Sequence, residues 1–186
     1  LTIGVLFVLP MFVFGQSYNS LWKVVENELE KDLPQSAISA LDKVIAKASR
    51  EKSYGNLLKA QIMRSGLVTE VNPDSADVEI EKFKNAALMA EKSDPALAAV
   101  YYCALGNFYK EAYRYNAEEF AKSREYYAKA LANPDLLARH KASEMEPLTV
   151  KGVDSKYFNH DLLSIIGFEA GDMKTLNEYY DSHGNR

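Results

Sequence analysis

Beyond the fifteenth residue, apolar side chains recur along the chain with one period. Leu21, Val24, Val25 and Leu29 lie three and four residues apart among mostly charged neighbours. After a break at Asp32-Leu33-Pro34 the stripe resumes as Ala37, Ile38, Leu41, Val44, Ile45 and Ala48. A period near 3.6 places each set on one face of a helix. Pro34 disfavours helical angles at Leu33 and so ends the first helix. In the first turn of the next helix its missing N–H is no loss. Asp32 is expected to accept from the freed amides, with Gln35 three residues on completing a capping-box-like pattern. The break predicts a two-helix hairpin with a tight connector.

The same grammar continues. A third helix, "YGNLLKAQIMRSGLV", turns Leu58, Ala60, Ile62, Met63 and Leu67 inward. A turn comes next, with a cap at Asp74 or Ser75, then a stripe of Ile80, Phe83, Ala87 and Ala90. The next restart has a cap at Ser93 or Asp94 and Pro95 just inside the helix. There Leu97, Tyr101, Ala104, Leu105, Phe108 and Ala112 share a face, and "AEEFAKSREYYAKALANPD" supplies the partner. A less regular stretch, "LLARHKASEMEPLTVKGVDSKYF", precedes a last pair, "NHDLLSIIGFEAG" and "DMKTLNEYYDSHG". No segment keeps a two-residue alternation, so no strand is expected. The fold class is all-α: antiparallel helical hairpins in a tetratricopeptide-like α-solenoid or a bundle. Leu105-Gly106-x-x-Tyr109 resembles the first-helix signature of a tetratricopeptide repeat, in which Gly106 lets the partner helix approach. "EYYAKALANP" resembles the second helix, with Tyr127, Ala130 and the terminal Pro134. The loop between them is several residues longer than in that repeat, and the proline comes one residue early.

The first fifteen residues, "LTIGVLFVLPMFVFG", carry no charge. Their apolar run is too short for a stable membrane span. Gly15, with Val13 two residues before it, makes an acceptable cleavage site ahead of Gln16. Residues 1–15 therefore read as a truncated secretory signal peptide, and 16–186 as the helical region of an exported, periplasmic or cell-surface protein. After cleavage no stable membrane span is expected.

Composition narrows the partners. The 186 residues hold 22 Lys and Arg against 26 Asp and Glu, for a net charge of −4, with the lysines interleaved among acids. Nucleic acid, which needs a clustered basic face, is not an expected partner. Cys103 is the only cysteine, so no internal disulfide forms, and its aromatic and alanine flanks read as core. His140, His160 and His183 are far apart in sequence and lack the i, i+4 spacing of a helical metal site. His160 reads as a capping or surface residue at a helix start. No phosphate-binding loop, dinucleotide fingerprint or nucleophile elbow is present. The expectation is a non-catalytic protein without metal or cofactor. Tyr101, Tyr102, Phe108, Tyr109, Tyr113 and Tyr115 crowd one hairpin. Core and rim packing accounts for such a cluster; a protein-interaction groove lined by Tyr102, Tyr109 and Tyr113 is the sharper expectation.

The opening "QSYNSLWKVVENELEKDLPQSAISALDKVIAKASREKSYGNLLKA" resembles the mature start of the large α-2-macroglobulin-like proteins of Bacteroidetes, and "VDSKYFNHDLLSIIG" resembles a second stretch of the same region. The resemblance implies the N-terminal helical region of an exported endopeptidase inhibitor, a protease trap whose inhibitory β-sandwich domains, with a thioester in some members of the family, would lie downstream. Its implied partners are its own downstream domains, envelope proteins or proteases. Cys103, in "YYCALG", is not in a thioester motif. The alternative is a free-standing exported tetratricopeptide-type adaptor that binds peptides or envelope proteins.

Overall fold

A computed structural model describes residues 16–153, 156 and 159–184. The signal-peptide stretch, and part of the second stretch behind the family resemblance, lie outside the described residues. The helices are α1 (Tyr18–Glu30), α2 (Pro34–Glu51), α3 (Tyr54–Val71), α4 (Ala76–Ser93), α5 (Pro95–Ala112), α6 (Ala117–Ala130), α7 (Pro134–Arg139), α8 (Leu162–Ala170) and α9 (Met173–Ser182). Short 3-10 turns at Pro73–Ser75 and Ala142–Met145 fill two connections. Among the described residues there is no strand, and the one isolated bridge pairs Lys141 with Asp161. The fold is all-α, built of antiparallel hairpins.

The connectors differ from expectation in one informative way. Asp32 is not the cap of α2: Leu33 precedes that helix and no side chain caps it. Asp32 instead has φ of 57° and ends α1. Its N–H donates to Leu29 O, and Leu33 N–H to Glu28 O, each at 3.0 Å. This pair of bonds is a Schellman motif, which satisfies the last carbonyls of the helix. The same device recurs after α8, where Gly171 has φ of 73° and Asp172 N–H reaches Gly167 O. Lys52, with φ of 54°, turns the chain between α2 and α3 in the same left-handed conformation. Caps do open other helices. Asp94, Asn116, Asn133, Asp161 and Asp172 each accept an amide from the first turn of the following helix. Ser75 stands at its cap position without capping: its hydroxyl donates to Asn72 O at 2.6 Å.

Two cores form, joined through α3. Leu21, Val25, Ala40, Leu41, Val44 and Ala60 pack between α1, α2 and α3. Leu58, two residues before Ala60, belongs to the larger core centred on α5. Helix α5 is buried on more than one face: Ala96 through Cys103 are covered continuously, with Leu105, Gly106 and Tyr109. The expected stripe was therefore too narrow. At its far end it was also too long, since Ala112 is exposed. Ile62 is a second correction, 39% exposed rather than inward. Cover for α3 comes in its first turn, where Gly55 lies against the backbone of Met145 and Glu146.

Two glycines show why the hairpins close. A Cβ built on Gly106 would meet the Tyr127 ring of α6 at 2.7 Å, and one on Gly167 would meet Leu176 of α9 at 2.6 Å. Each glycine trades helix propensity for close approach of the partner helix. This is the role expected of Gly106.

Candidate functional site

The tyrosines expected to line a groove form a ladder, and of the three Tyr102 also lines a cleft. Tyr102, Tyr109 and Tyr113 fall along α5 and its C-terminal cap at intervals of seven and four residues, and Tyr126 of α6 inserts between the first two. Ring centroids step from Tyr102 to Tyr126 at 6.2 Å, to Tyr109 at 5.4 Å and to Tyr113 at 5.5 Å. Interplanar angles stay between 20° and 28°, an offset-stacked arrangement. Tyr102 and Tyr109 are 5% and 4% exposed, and Tyr113 is half-buried against the same core. The inner rings, Tyr126 and Tyr109, stack on two partners each, while Tyr102 and Tyr113 end the ladder with one each. Around the four rings lies a polar fringe.

That fringe is cationic on α6. Lys129 Nζ lies 5.3 Å from the Tyr102 centroid and 5.8 Å from that of Tyr126, while Lys122 Nζ lies 5.8 Å from that of Tyr109. All three are cation–π distances. Lys122 also pairs with Glu119 at 2.6 Å, and Lys84 of α4 pairs with Glu81 at 2.7 Å. The Glu81 bond holds the Lys84 ammonium above the ordinary lysine range. Lys129 differs: among the described residues it forms no ion pair, only its two ring contacts.

Lys129 stands at the mouth of a cleft of about 180 Å³ between α4, α5, α6 and α7. Ala98, Ala99, Ala130 and Leu137, all buried, form the floor. Glu91, at the end of α4, is the other charged group in the lining. Tyr102 Oη donates to Glu91 Oε1 at 2.5 Å. Burial, then this bond, pushes the Tyr102 phenol up to about 12. It stays a donor at neutral pH.

A second cleft, about 230 Å³, opens where the two cores meet, and is lined by residues of α2, α3, α4 and α5. A chain of charges crosses it. Arg64 donates to Asp42 at 2.6 Å and lies 3.8 Å from Glu79, which also takes Lys82 at 2.5 Å. Glu79 is buried beneath these cations. Tyr101 Oη donates to Gln61 Oε1 at 2.8 Å across the same floor. Every charge here has a partner, so the network ties α2, α3 and α4 together rather than presenting a free group.

The other candidate chemistry is dispersed. Cys103 is 7% exposed, and burial first, then Glu169, pushes its thiol up to about 12, far from a reactive thiolate. His140 pairs with Glu144, and His183 stacks on Tyr179. His160 is exposed with φ of 56°; the cap of α8 is its neighbour Asp161. Among the described residues no three His, Cys, Asp or Glu side chains gather as metal ligands. No helix among them is long and apolar enough to cross a membrane.

Sequence reasoning missed Glu91, Lys129 and Arg64, and its reading of Glu79, like Glu81, as an acid in a polar helix turn is corrected by the burial of Glu79. Lys129 and Glu91 look like ordinary members of charged helix faces, and only the meeting of α4 with α6 across α5 makes them opposite walls. Glu79 had one legible signal: it falls on the side of α4 that also carries Ile80 and Phe83. No family model, curated protein or solved structure matches the chain.

Proposed function

We propose that the chain is a non-catalytic docking module, and that it forms the helical N-terminal region of an exported α-2-macroglobulin-like endopeptidase inhibitor. The observation that carries the docking reading is the cleft between α4, α5, α6 and α7, with its floor of alanine and leucine and its rim of Lys129 and Glu91. Such a surface fits protein segments better than it fits catalysis, which needs a nucleophile, an acid–base pair or a metal at one place. The assignment to an inhibitor is supported by the opening motif and its place in the fold. Leu21 sits in the α1–α3 core, and Trp22 Nε1 donates to Asn56 Oδ1 at 2.7 Å with Lys59 over its ring at 4.7 Å. Leu-Trp thus fastens α1 to α3.

The test is to read the coding sequence past Arg186 and to express the downstream segment beside this chain. Macroglobulin-type β-sandwiches that co-elute with this chain on size exclusion are the expected result. A stop codon soon after Arg186 overturns the inhibitor assignment. Gly106 closing against Tyr127 favours a second reading, a free-standing tetratricopeptide-type adaptor. For that reading a short full-length protein is expected.

A further inference from the structure

The cleft at Lys129 and Glu91 has a more specific use, which rests on the docking reading above. Its volume of about 180 Å³ corresponds to roughly six waters, enough for one aliphatic side chain. The floor is alanine and leucine: Ala98, Ala99, Ala130 and Leu137 place no polar side-chain atom there. The two charged groups in the lining have opposite sign and come from different helices. Lys129 makes no ion pair among the described residues. Glu91 spends one oxygen on Tyr102, and a carboxylate has several further acceptor positions. One wall therefore offers N–H donors and the other an acceptor, above an apolar hole.

An extended peptide unit has the complementary pattern: one C=O, one N–H, and a side chain directed away from them. We propose that this cleft anchors an extended partner segment through one leucine-sized side chain. Its carbonyl takes a hydrogen bond from Lys129 Nζ, and its amide donates to Glu91. The Tyr102 ring beneath Lys129 keeps the ammonium over the mouth. A formally cationic or anionic side chain is a poor occupant, because the floor cannot solvate it.

The probe is N-acetyl-leucine N-methylamide, titrated into isotope-labelled chain and followed by amide and methyl NMR. Saturable shifts are expected at Ala98, Ala99, Ala130 and Leu137, with a Kd on the order of 1–10 mM for a ligand of this size. Lys129→Ala is expected to weaken binding roughly tenfold, the worth of one charged hydrogen bond. Lys129→Gln, which keeps an N–H donor, should recover part of that loss. Ala132→Phe places a ring at the rim, away from the floor, and should abolish the shifts while the circular dichroism stays unchanged. The proposal is overturned if the shifts scatter over the surface, or if Lys129→Ala binds as tightly as the wild type. It is equally overturned if N-acetyl-glycine N-methylamide binds as well, or if free leucine binds better than the capped compound. Loss of probe binding while downstream domains still co-elute removes this pocket alone. Probe binding without co-elution removes the inhibitor assignment and leaves the pocket.

Discussion

Gly106→Ala tests how the α5–α6 hairpin is closed, and its cost can be worked from one contact. The new methyl carbon would lie 2.7 Å from Tyr127 Cδ1 and Cε1, where carbon atoms prefer about 3.5–4.0 Å. The ring cannot simply swing aside. Tyr127 is buried, and its hydroxyl donates to Asn107 Oδ1 at 2.5 Å, on the residue next to Gly106. Overpacking of this kind costs about 1–3 kcal/mol. Alanine returns about 0.5–1 kcal/mol of helix propensity and unfolded-state entropy. The net expectation is a loss of about 0–2.5 kcal/mol. Gly66 is the internal control, since it sits inside α3 with no atom within 4 Å of its ideal Cβ. Gly66→Ala should therefore stabilise by about 0.5–1 kcal/mol. The backbone term is common to both variants, so their difference isolates the steric term, about 1–3 kcal/mol. Urea unfolding followed by far-ultraviolet circular dichroism measures both. Adding Tyr127→Phe frees the ring from Asn107, and the Gly106→Ala penalty should then shrink. The reasoning fails if Gly106→Ala stabilises as much as Gly66→Ala.

Three other outcomes are expected. Asp32→Gly should stabilise by about 0.5–1 kcal/mol, because Asp32 occupies the left-handed position of a helix terminus; a loss of about 1 kcal/mol in urea titrations would show that it caps α2 after all. Cys103, buried with its thiol pushed up to about 12, should resist a disulfide reagent at mildly alkaline pH and react only as urea unfolds the chain; rapid labelling of folded protein refutes its placement. Burial raises Tyr101, Tyr102, Tyr126, Tyr127 and Tyr180 above the ordinary phenol range, so the fold holds these protons more tightly than the unfolded chain. That stability is complete below about pH 10 and is lost as pH rises towards about 12. Ultraviolet absorbance of the phenolate should therefore show the ionisation of these five tyrosines coinciding with loss of helicity, whereas their ionisation in a still-helical chain would contradict the burial.

Most of the architecture was legible because the same physics acts locally. Helical periodicity, Pro34 and Pro95 at helix starts, and a cap at Ser93 or Asp94 are settled within a few residues of sequence; the structure puts the cap on Asp94. What was misread depends on distant chain or on competition at a connector. Asp32 before a leucine and a proline carries the letters of an N-cap, but the unsatisfied carbonyls of α1 take the connector first, and two bonds back to Leu29 and Glu28 fix it. Ile62 sits four residues from buried Leu58, so period alone puts both inside. Only the uneven cover over α3 separates them.

The tyrosines give the more general lesson, since their chemistry suited either fate. Spacing along α5 brings Tyr102, Tyr109 and Tyr113 to one side, and a groove or a core both begin that way. The outcome turned on Tyr126, from the next helix along the chain, whose ring fills the gap between two of them. Once the ladder closes, the inner aromatic faces cannot serve a partner without unstacking, at about 0.5–1.5 kcal/mol for each pair broken. On the proposed docking reading, recognition uses the groups at the ladder's edge. Lys129 over the Tyr102 ring and Glu91 on the Tyr102 hydroxyl are those groups. A cluster whose composition suggests a binding surface acts here as the rigid footing for the two charges beside a cleft. A Tyr126→Ala variant separates the two roles: removing a stacked ring that touches no partner should still weaken capped-leucine binding, because Lys129 loses one of its two ring contacts. Unchanged affinity in the same NMR titration would show that the ladder is core packing alone.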